Sequence, residues 1–215
     1  MHAAWLEQAS RTVAGGDSPK TLLLLPGSRR SEVNGLIGVF RDAVERLSAR
    51  GHRLRLVLPT VPHVADLVTA SVADWPNRPE VVIGSEAKWR AFAEADAALA
   101  ASGTVTLELA LAGVPLLSCY RLDWITGYVV PRIIAAWSAS LPNLIADTPL
   151  VSECYAPFLK PDIVAHHIEP LLLPTALREW QRNGFRQIRE TMTTDRPSGQ
   201  IAADVVAGMI ETKRL

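Results

Sequence analysis

Residues 21–33 read TLLLLPGSRRSEV and change within a few positions from continuous apolar side chains to glycine, serine and two arginines. A short all-apolar run between Lys20 and Pro26 is typical of a strand covered on both faces, as the strands of parallel sheets are. Residues 32–49 follow with apolar positions at helical spacing, and Gly51 then closes the segment as a helix-ending glycine does. The stretch therefore predicts a strand, a polar loop and a helix.

The same alternation of strands and helices continues along the chain. Further strands are predicted over 53–59, 81–83, 97–101 and 114–120, with helices over 62–74, 86–95 and 104–112. After residue 121 the pattern is mainly helical, over 124–136, 161–172, 175–194 and 199–211. Strands that alternate with helices of this length form βαβ units. The predicted fold class is therefore α/β, a doubly wound, Rossmann-like parallel sheet with extra C-terminal helices.

Composition limits the classes of function. The 215 residues carry 22 basic and 22 acidic side chains, so no overall field attracts nucleic acid, and any anion site must be local. Cys119 and Cys154 lie outside any CxxC or Cys/His cluster, which indicates reduced, half-buried thiols of a cytosolic protein. The apolar tract 124–137 is too short and interrupted to span a bilayer. Its tryptophans, Trp124 and Trp137, are expected in the core or at an interface, with membrane contact as the alternative.

Two predicted loops follow strands that end at the same edge of the sheet. In open parallel sheets ligands bind at this edge, because helix N-termini and βα loops converge there. In the first loop, PGSRRS, Gly27 permits a close backbone approach and Ser28 offers a hydroxyl group. Arg29 or Arg30 can make bidentate contacts to phosphate oxygens. This loop is therefore a candidate phosphate site.

The second loop, ASGT at 101–104, again places small residues between a strand and a helix. Thr104 and Glu108 are four residues apart and share one helix face. A carboxylate at that position can accept hydrogen bonds from the vicinal hydroxyl groups of a sugar. Together the two loops favour a phosphorylated ligand that carries a sugar.

Each of these signals has an alternative explanation in the residues themselves. PGS is a common turn, small residues after a strand also allow tight packing, and Glu108 can be a first-turn carboxylate favoured by the helix dipole. Neither GxxxxGK[ST] nor GxGxxG occurs, which argues against a mononucleotide phosphotransferase and a dinucleotide oxidoreductase. His166 and His167 are adjacent, so they point in different directions on a helix, and no metal site is predicted.

Three motifs together resemble the C-terminal half of lipid-A-disaccharide synthases, which are glycosyltransferases with the two-domain glycosyltransferase-B fold. They are LLPGSRRSEV at 24–33, DAALAASGTVTLELALAGVPLLSCYR at 96–121 and SLPNLIADTPLVSE at 140–153, in the family's order and spacing. The resemblance implies hexosyl transfer with inversion, from UDP-2,3-diacylglucosamine to 2,3-diacylglucosamine 1-phosphate, with release of UDP in lipid A biosynthesis. It implies no cofactor and no metal ion.

The resemblance also implies a set of donor-binding residues. These are Gly27, Ser28, Arg29, Ser102, Gly103, Thr104, Glu108, Tyr120, Arg121 and Asn143. The first loop would hold the pyrophosphate and the second would frame it, Glu108 would bind the ribose, and the last three residues would line the cleft near the donor sugar. Arg29 would also stabilise the departing UDP, and the general base is expected outside this chain.

In the family, an N-terminal Rossmann-like domain supplies the acceptor site, and nothing in this sequence corresponds to it. We therefore expect a linker-like segment at 1–20, a UDP-sugar-binding domain at 21–196, and a helix at 197–215 that packs toward an N-terminal half or a second chain. The apolar positions of that helix would be exposed unless another chain covers them. They are Ile201, Val205, Val206 and Ile210.

These features lead to one preferred function and two alternatives. The preferred function is the donor-binding half of a lipid-A-disaccharide synthase, inactive without an N-terminal half. Its expected partners are the UDP-diacylglucosamine donor and the lipid acceptor, in the cytoplasm or peripherally on the inner membrane of a Gram-negative bacterium. The alternatives are a non-catalytic module that binds UDP or a UDP-sugar, and another glycosyltransferase-B enzyme or a UDP-sugar epimerase.

Overall fold

The computed structural model describes residues 18–121 and 137–212, apart from residues 157, 195 and 197. The predicted helix 124–136, including Trp124, lies outside the described residues. So do residues 1–17 of the predicted linker segment and the last three residues of the chain.

The described elements alternate much as the sequence predicts. The strands are β1 (Lys20–Leu25), β2 (Leu54–Thr60), β3 (Glu80–Ile83), β4 (Ala97–Ala101), β5 (Leu116–Tyr120) and β6 (Glu153–Tyr155). The helices are α1 (Arg30–Ala49), α2 (Pro62–Ser71), α3 (Ser85–Glu94), α4 (Thr104–Ala112), α5 (Leu141–Ala146), α6 (Pro161–Leu172), α7 (Ala176–Met192) and α8 (Ser198–Thr212).

All six strands form one parallel sheet in the order β3-β2-β1-β4-β5-β6. The chain moves outward from β1 to β3 on one side, and the strands from β4 to β6 occupy the other side. The direction of winding therefore reverses between β1 and β4, which are paired from Leu22 with Ala97 to Leu25 with Ala100. The loops that follow these two strands diverge and leave a crevice between them. The predicted fold class is confirmed.

Strand β1 is covered on both faces, as its continuous apolar sequence predicts. Leu22 and Leu24 belong to the core that packs against α1 and α6. Leu23 and Leu25 belong to the opposite core, which includes Phe185 of α7. This double burial fixes β1 at the centre of the sheet and with it the position of the loop that follows.

Two short elements differ from the sequence-based prediction. No element is predicted over 140–146, yet the SLPN stretch enters helix α5, since Ser140 precedes a helix that starts at Leu141. Strand β6 was not predicted, because three residues are too few to carry a periodic pattern. It exists through parallel pairing with β5, in which Cys119 is the register partner of Cys154. That pairing depends on a contact between distant parts of the chain.

Other predicted features can be located in the described residues. Cys119 and Cys154 are free, and both are buried rather than half-buried, because each side chain lies in the core beneath α6. Val205 and Val206 on α8 are exposed, whereas the side chains of Ile201 and Ile210 lie outside the described part. Within the described residues, no helix is long and apolar enough to cross a membrane.

Candidate functional site

A cleft of about 430 Å³ opens at the carboxyl ends of β1, β2 and β4, where the direction of winding reverses. Seven of the ten predicted site residues line it together. They are Gly27, Ser28, Arg29, Ser102, Gly103, Thr104 and Glu108. The two candidate loops therefore form the walls of a single cavity, as expected from strands that end at the same edge.

The first loop, residues 26–29, is tightly organised around Glu32 on the first turn of α1. The amide groups of Ser28 and Arg29 donate to Glu32 Oε2 at 2.9 and 3.1 Å. Arg29 Nη1 donates to Glu32 Oε1 at 2.6 Å. Gly27 has φ of +110°, and a Cβ atom there would lie 2.3 Å from Glu32 Oε2, so only glycine fits. The loop thus directs two backbone amides and one guanidinium at a single anionic group.

The second loop, residues 101–103, leads directly into α4. Gly103 has φ of +152°, and a Cβ atom there would meet nothing within 4 Å, which is consistent with a position open to the cleft. Thr104 begins the helix, and of the first-turn amides that of Thr106 donates to the Gly103 carbonyl at 3.1 Å, while no earlier turn of the helix offers acceptors to the amides of Thr104 and Val105. The positive end of a helix dipole therefore faces the cleft from each side, from α1 and from α4.

Glu108 lies in the second turn of α4, so its presence is not explained by a first-turn preference for carboxylates. Lys88 of α3 donates to both of its oxygens, at 2.9 Å to Oε1 and 2.8 Å to Oε2. The ammonium group also lies 5.3 Å from the ring centroid of Trp89. Lys88 lines the cleft but was not predicted. The available signal was its place in a helix that follows β3, whose carboxyl end lies at the same edge of the sheet.

Tyr120 and Arg121 lie at the end of β5 and line a neighbouring cavity of about 170 Å³. The two cavities share Glu32, Ala101 and Ser102. Burial raises the pKa of Tyr120 to about 12, with Glu153 and Tyr155 adding to the effect, so its hydroxyl group stays a neutral donor. Tyr120 and Arg121, predicted to line the cleft near the donor sugar, therefore lie beside the loop cleft in an adjoining pocket.

Asn143 does not lie on the wall of either cavity, which corrects its predicted position. It is 1% exposed, and its side-chain amide donates to Ser138 Oγ at 3.1 Å and to the Val151 carbonyl at 2.9 Å. It also accepts from the Val151 amide at 2.6 Å. These hydrogen bonds hold the residues before α5 and those before β6 against Asn143, and its side chain is therefore buried between them.

A chain of hydrogen bonds connects this segment to the cleft through Glu153, which was also not predicted. Glu153 accepts from Ser138 Oγ at 2.6 Å and from the Ala139 amide at 3.0 Å. The Ala139 carbonyl in turn accepts from Ser102 Oγ at 2.8 Å. The third sequence motif therefore positions the second loop from behind. Among the described residues, no group of three or more histidine, cysteine or carboxylate side chains could hold a metal ion.

Solved structures of glycosyltransferases have the same fold. MurG of Acinetobacter baumannii superposes with a TM-score of 0.57 at 17% identity, over 95% of this chain and 53% of that one. WaaG, a glycosyltransferase involved in lipopolysaccharide biosynthesis, superposes with a TM-score of 0.54 at 19% identity, over 97% and 52%. The chain thus has the fold of one half of a glycosyltransferase of the B type.

Sequence comparison is more specific. The chain belongs to the lipid-A-disaccharide synthetase family (LpxB), which matches residues 5–199. It is 41% identical over 206 residues to the lipid-A-disaccharide synthase of Rhodopseudomonas palustris (strain HaA2), covering 95% of this chain and 51% of the relative. The corresponding synthase of Bradyrhizobium diazoefficiens is 39% identical over 194 residues, with coverage of 90% and 50%. The chain spans about half the length of the curated relatives it matches. The predicted family is confirmed.

Proposed function

We propose that this chain is the donor-binding half of a lipid-A-disaccharide synthase. It binds UDP-2,3-diacylglucosamine and, together with an N-terminal half, transfers the sugar with inversion to 2,3-diacylglucosamine 1-phosphate, releasing UDP. The observation that carries the proposal is the convergence of both predicted loops on one cleft at the point where the sheet reverses its winding. Membership of the family supports the choice of substrates.

The cleft is suited to stabilising a leaving group. Charge develops on the pyrophosphate as the bond to the anomeric carbon breaks, and preorganised donors aimed at that charge lower the barrier. Ser28 and Arg29 supply such donors on one side, and the N-terminus of α4 at Thr104 supplies them on the other. The ribose is assigned to Glu108 and the donor sugar to the pocket beside Tyr120 and Arg121.

The same cleft is poorly suited to activating the acceptor. Its described lining contains two carboxylates, Glu32 and Glu108, and each is engaged in an ion pair, with Arg29 and with Lys88. A general base needs a free lone pair directed at the acceptor hydroxyl. We therefore assign the base to the N-terminal half and expect no turnover by this chain alone.

Calorimetric titration with UDP tests the donor site directly. Saturable binding is expected, and Arg29→Ala should weaken it about tenfold, because a charge-assisted hydrogen bond contributes about 1.5 kcal/mol at an exposed position. Arg30→Ala is the matched control, since this arginine adjoins Arg29 but is absent from the cleft wall. Failure to bind UDP at millimolar concentration, or equal effects of the two substitutions, would contradict the proposal.

Reconstitution separates the catalytic role from simple binding. A purified N-terminal half added to this chain should release UDP from the diacylated donor in the presence of acceptor. Binding of UDP without turnover in the reconstituted pair would instead favour the non-catalytic UDP-binding module. Contact with the membrane can be assayed by vesicle flotation with Trp137→Ala, since Trp137 is an exposed aromatic residue. Equal flotation of the variant and the parent would exclude Trp137 as a lipid contact.

A further inference from the structure

Glu32 occupies the donors that the proposed function assigns to the pyrophosphate. Its Oε2 accepts from the Ser28 and Arg29 amides, and its Oε1 accepts from the Arg29 guanidinium. The carboxylate is packed so closely over Gly27 that a Cβ atom there would overlap it. Two backbone amides and an arginine that bind a carboxylate are also the donors that bind a phosphate group.

We infer that Glu32 is an internal competitor for the donor site, which the pyrophosphate must displace in order to bind. This inference rests on the proposed function, since it concerns the same cleft. Each backbone amide has one hydrogen to donate, so the Ser28 and Arg29 amides cannot serve a carboxylate and a phosphate together. Two anions at the same helix N-terminus also repel each other. Binding of UDP therefore requires Glu32 to leave the loop.

The structure provides a second location for the displaced carboxylate. Glu32 lines both the cleft and the smaller neighbouring cavity, and Arg121 lines that second cavity as well. Gly35 is three residues after Glu32 on the same face of α1, and a Cβ atom there would lie 3.3 Å from Arg121 Cδ. Rotation of the Glu32 side chain away from the loop carries its charge toward Arg121. We assign Arg121 as the partner that receives Glu32 when the ligand is bound.

Titration of Glu32→Gln with UDP and with inorganic pyrophosphate tests the competition. The variant removes the competing charge but keeps the size of the side chain, so both ligands should bind about tenfold more tightly than to wild type. Without ligand the variant should melt at a lower temperature, because the charged hydrogen bonds to the loop are lost. Glu45→Gln is the control, since Glu45 lies on the same helix outside the cleft and pairs with Arg41. It should leave both affinities unchanged.

The assignment of Arg121 has its own test, which uses UDP because that ligand lacks the donor sugar. Arg121→Gln should weaken UDP binding several-fold in the wild-type background and leave it unchanged in the Glu32→Gln background, since the two effects are coupled. Equal weakening in both backgrounds would mean that Arg121 contacts UDP itself, and the transfer of Glu32 to Arg121 would be wrong.

The outcomes separate this inference from the proposed function. Weaker or unchanged binding of both ligands by Glu32→Gln would overturn the competition, while saturable UDP binding by wild type would still support the donor site. Tighter binding of pyrophosphate alone, without any UDP binding, would support the competition and contradict the donor site. If neither protein binds either ligand, both proposals fail.

Discussion

Replacing Glu108 by glutamine should reduce the affinity for UDP by an amount that depends on the ribose hydroxyl groups. Glu108 is the proposed acceptor for the vicinal hydroxyls, and Lys88 holds both of its oxygens at 2.8–2.9 Å. The ion pair fixes the carboxylate beside the cleft. Glutamine keeps the size of the side chain but loses the charge and one of the two acceptors.

The size of the effect follows from the exposure of the site. Hydrogen bonds to charged groups contribute about 1.5–3 kcal/mol, and the Glu108 side chain is 36% exposed, which favours the lower end of that range. A loss of about 1.5–2 kcal/mol in binding free energy corresponds to a dissociation constant for UDP that is about 10- to 30-fold higher. For 2′,3′-dideoxyuridine diphosphate, which lacks both hydroxyls, the same substitution should change the affinity by less than about threefold.

The assay is a double-mutant cycle by calorimetry, with wild type and Glu108→Gln each titrated with the two nucleotides. Glu86→Gln is a matched control, since Glu86 is an exposed carboxylate on α3 that pairs with Arg90 and lies outside the cleft. An equal loss of affinity for UDP and for the dideoxy ligand would refute the assignment of the ribose to Glu108. It would show that the substitution acts through Lys88 or through the fold.

Substitutions at two glycines test the packing, and a substitution at one carboxylate tests the pH dependence of stability. Gly184→Ala should lower the free energy of unfolding by about 1–3 kcal/mol, since its Cβ would lie 2.4 Å from Leu150 Cδ1. Gly38→Ala on α1 should raise the free energy of unfolding by about 0.5–1 kcal/mol, because its Cβ would meet nothing within 4 Å. Urea denaturation measures both, and effects of the same sign would contradict the packing argument. A hydrogen bond from His52, together with a weaker effect of one from Arg50, lowers the pKa of Glu169 from its ordinary 4.5. At a pH near 4.5 the unfolded chain therefore binds more protons than the folded protein. The stability that Glu169 contributes is present above pH 4.5 and is lost as the pH falls through the lower pKa of the folded state. The stability difference between wild type and Glu169→Gln should shrink below that pH, and a constant difference would contradict the pair.

Part of the candidate site could be predicted because its signals are local. The apolar run 21–25 and the helix that follows have their periodicity within a few residues, so the loop between them could be located without a structure. The rule that ligands bind at the carboxyl edge of a parallel sheet then joined residues 26–31 to residues 101–104. That the two loops line one cleft follows from the order of the strands, without further knowledge of the packing.

Other parts of the site depend on contacts that the sequence does not encode locally. Lys88 reaches Glu108 because α3 and α4 bring residues 20 positions apart into contact. Asn143 was placed beside the ligand from its motif, yet its hydrogen bonds to Val151 and Ser138 bury it. A polar side chain in a motif looks the same in a sequence whether it faces a ligand or satisfies buried backbone groups.

The sequence by itself determined the parallel α/β sheet, the family and the two loops, because alternating periodicity and short motifs are properties of neighbouring residues. Only the tertiary structure decided that β6 extends the sheet beyond β5, since a three-residue strand is defined by its partner. It also decided that Glu32 fills the first loop. Whether the Glu32 carboxylate faces solvent, a ligand or the loop amides depends on the geometry of Gly27 and α1. That geometry exists only once the chain has folded.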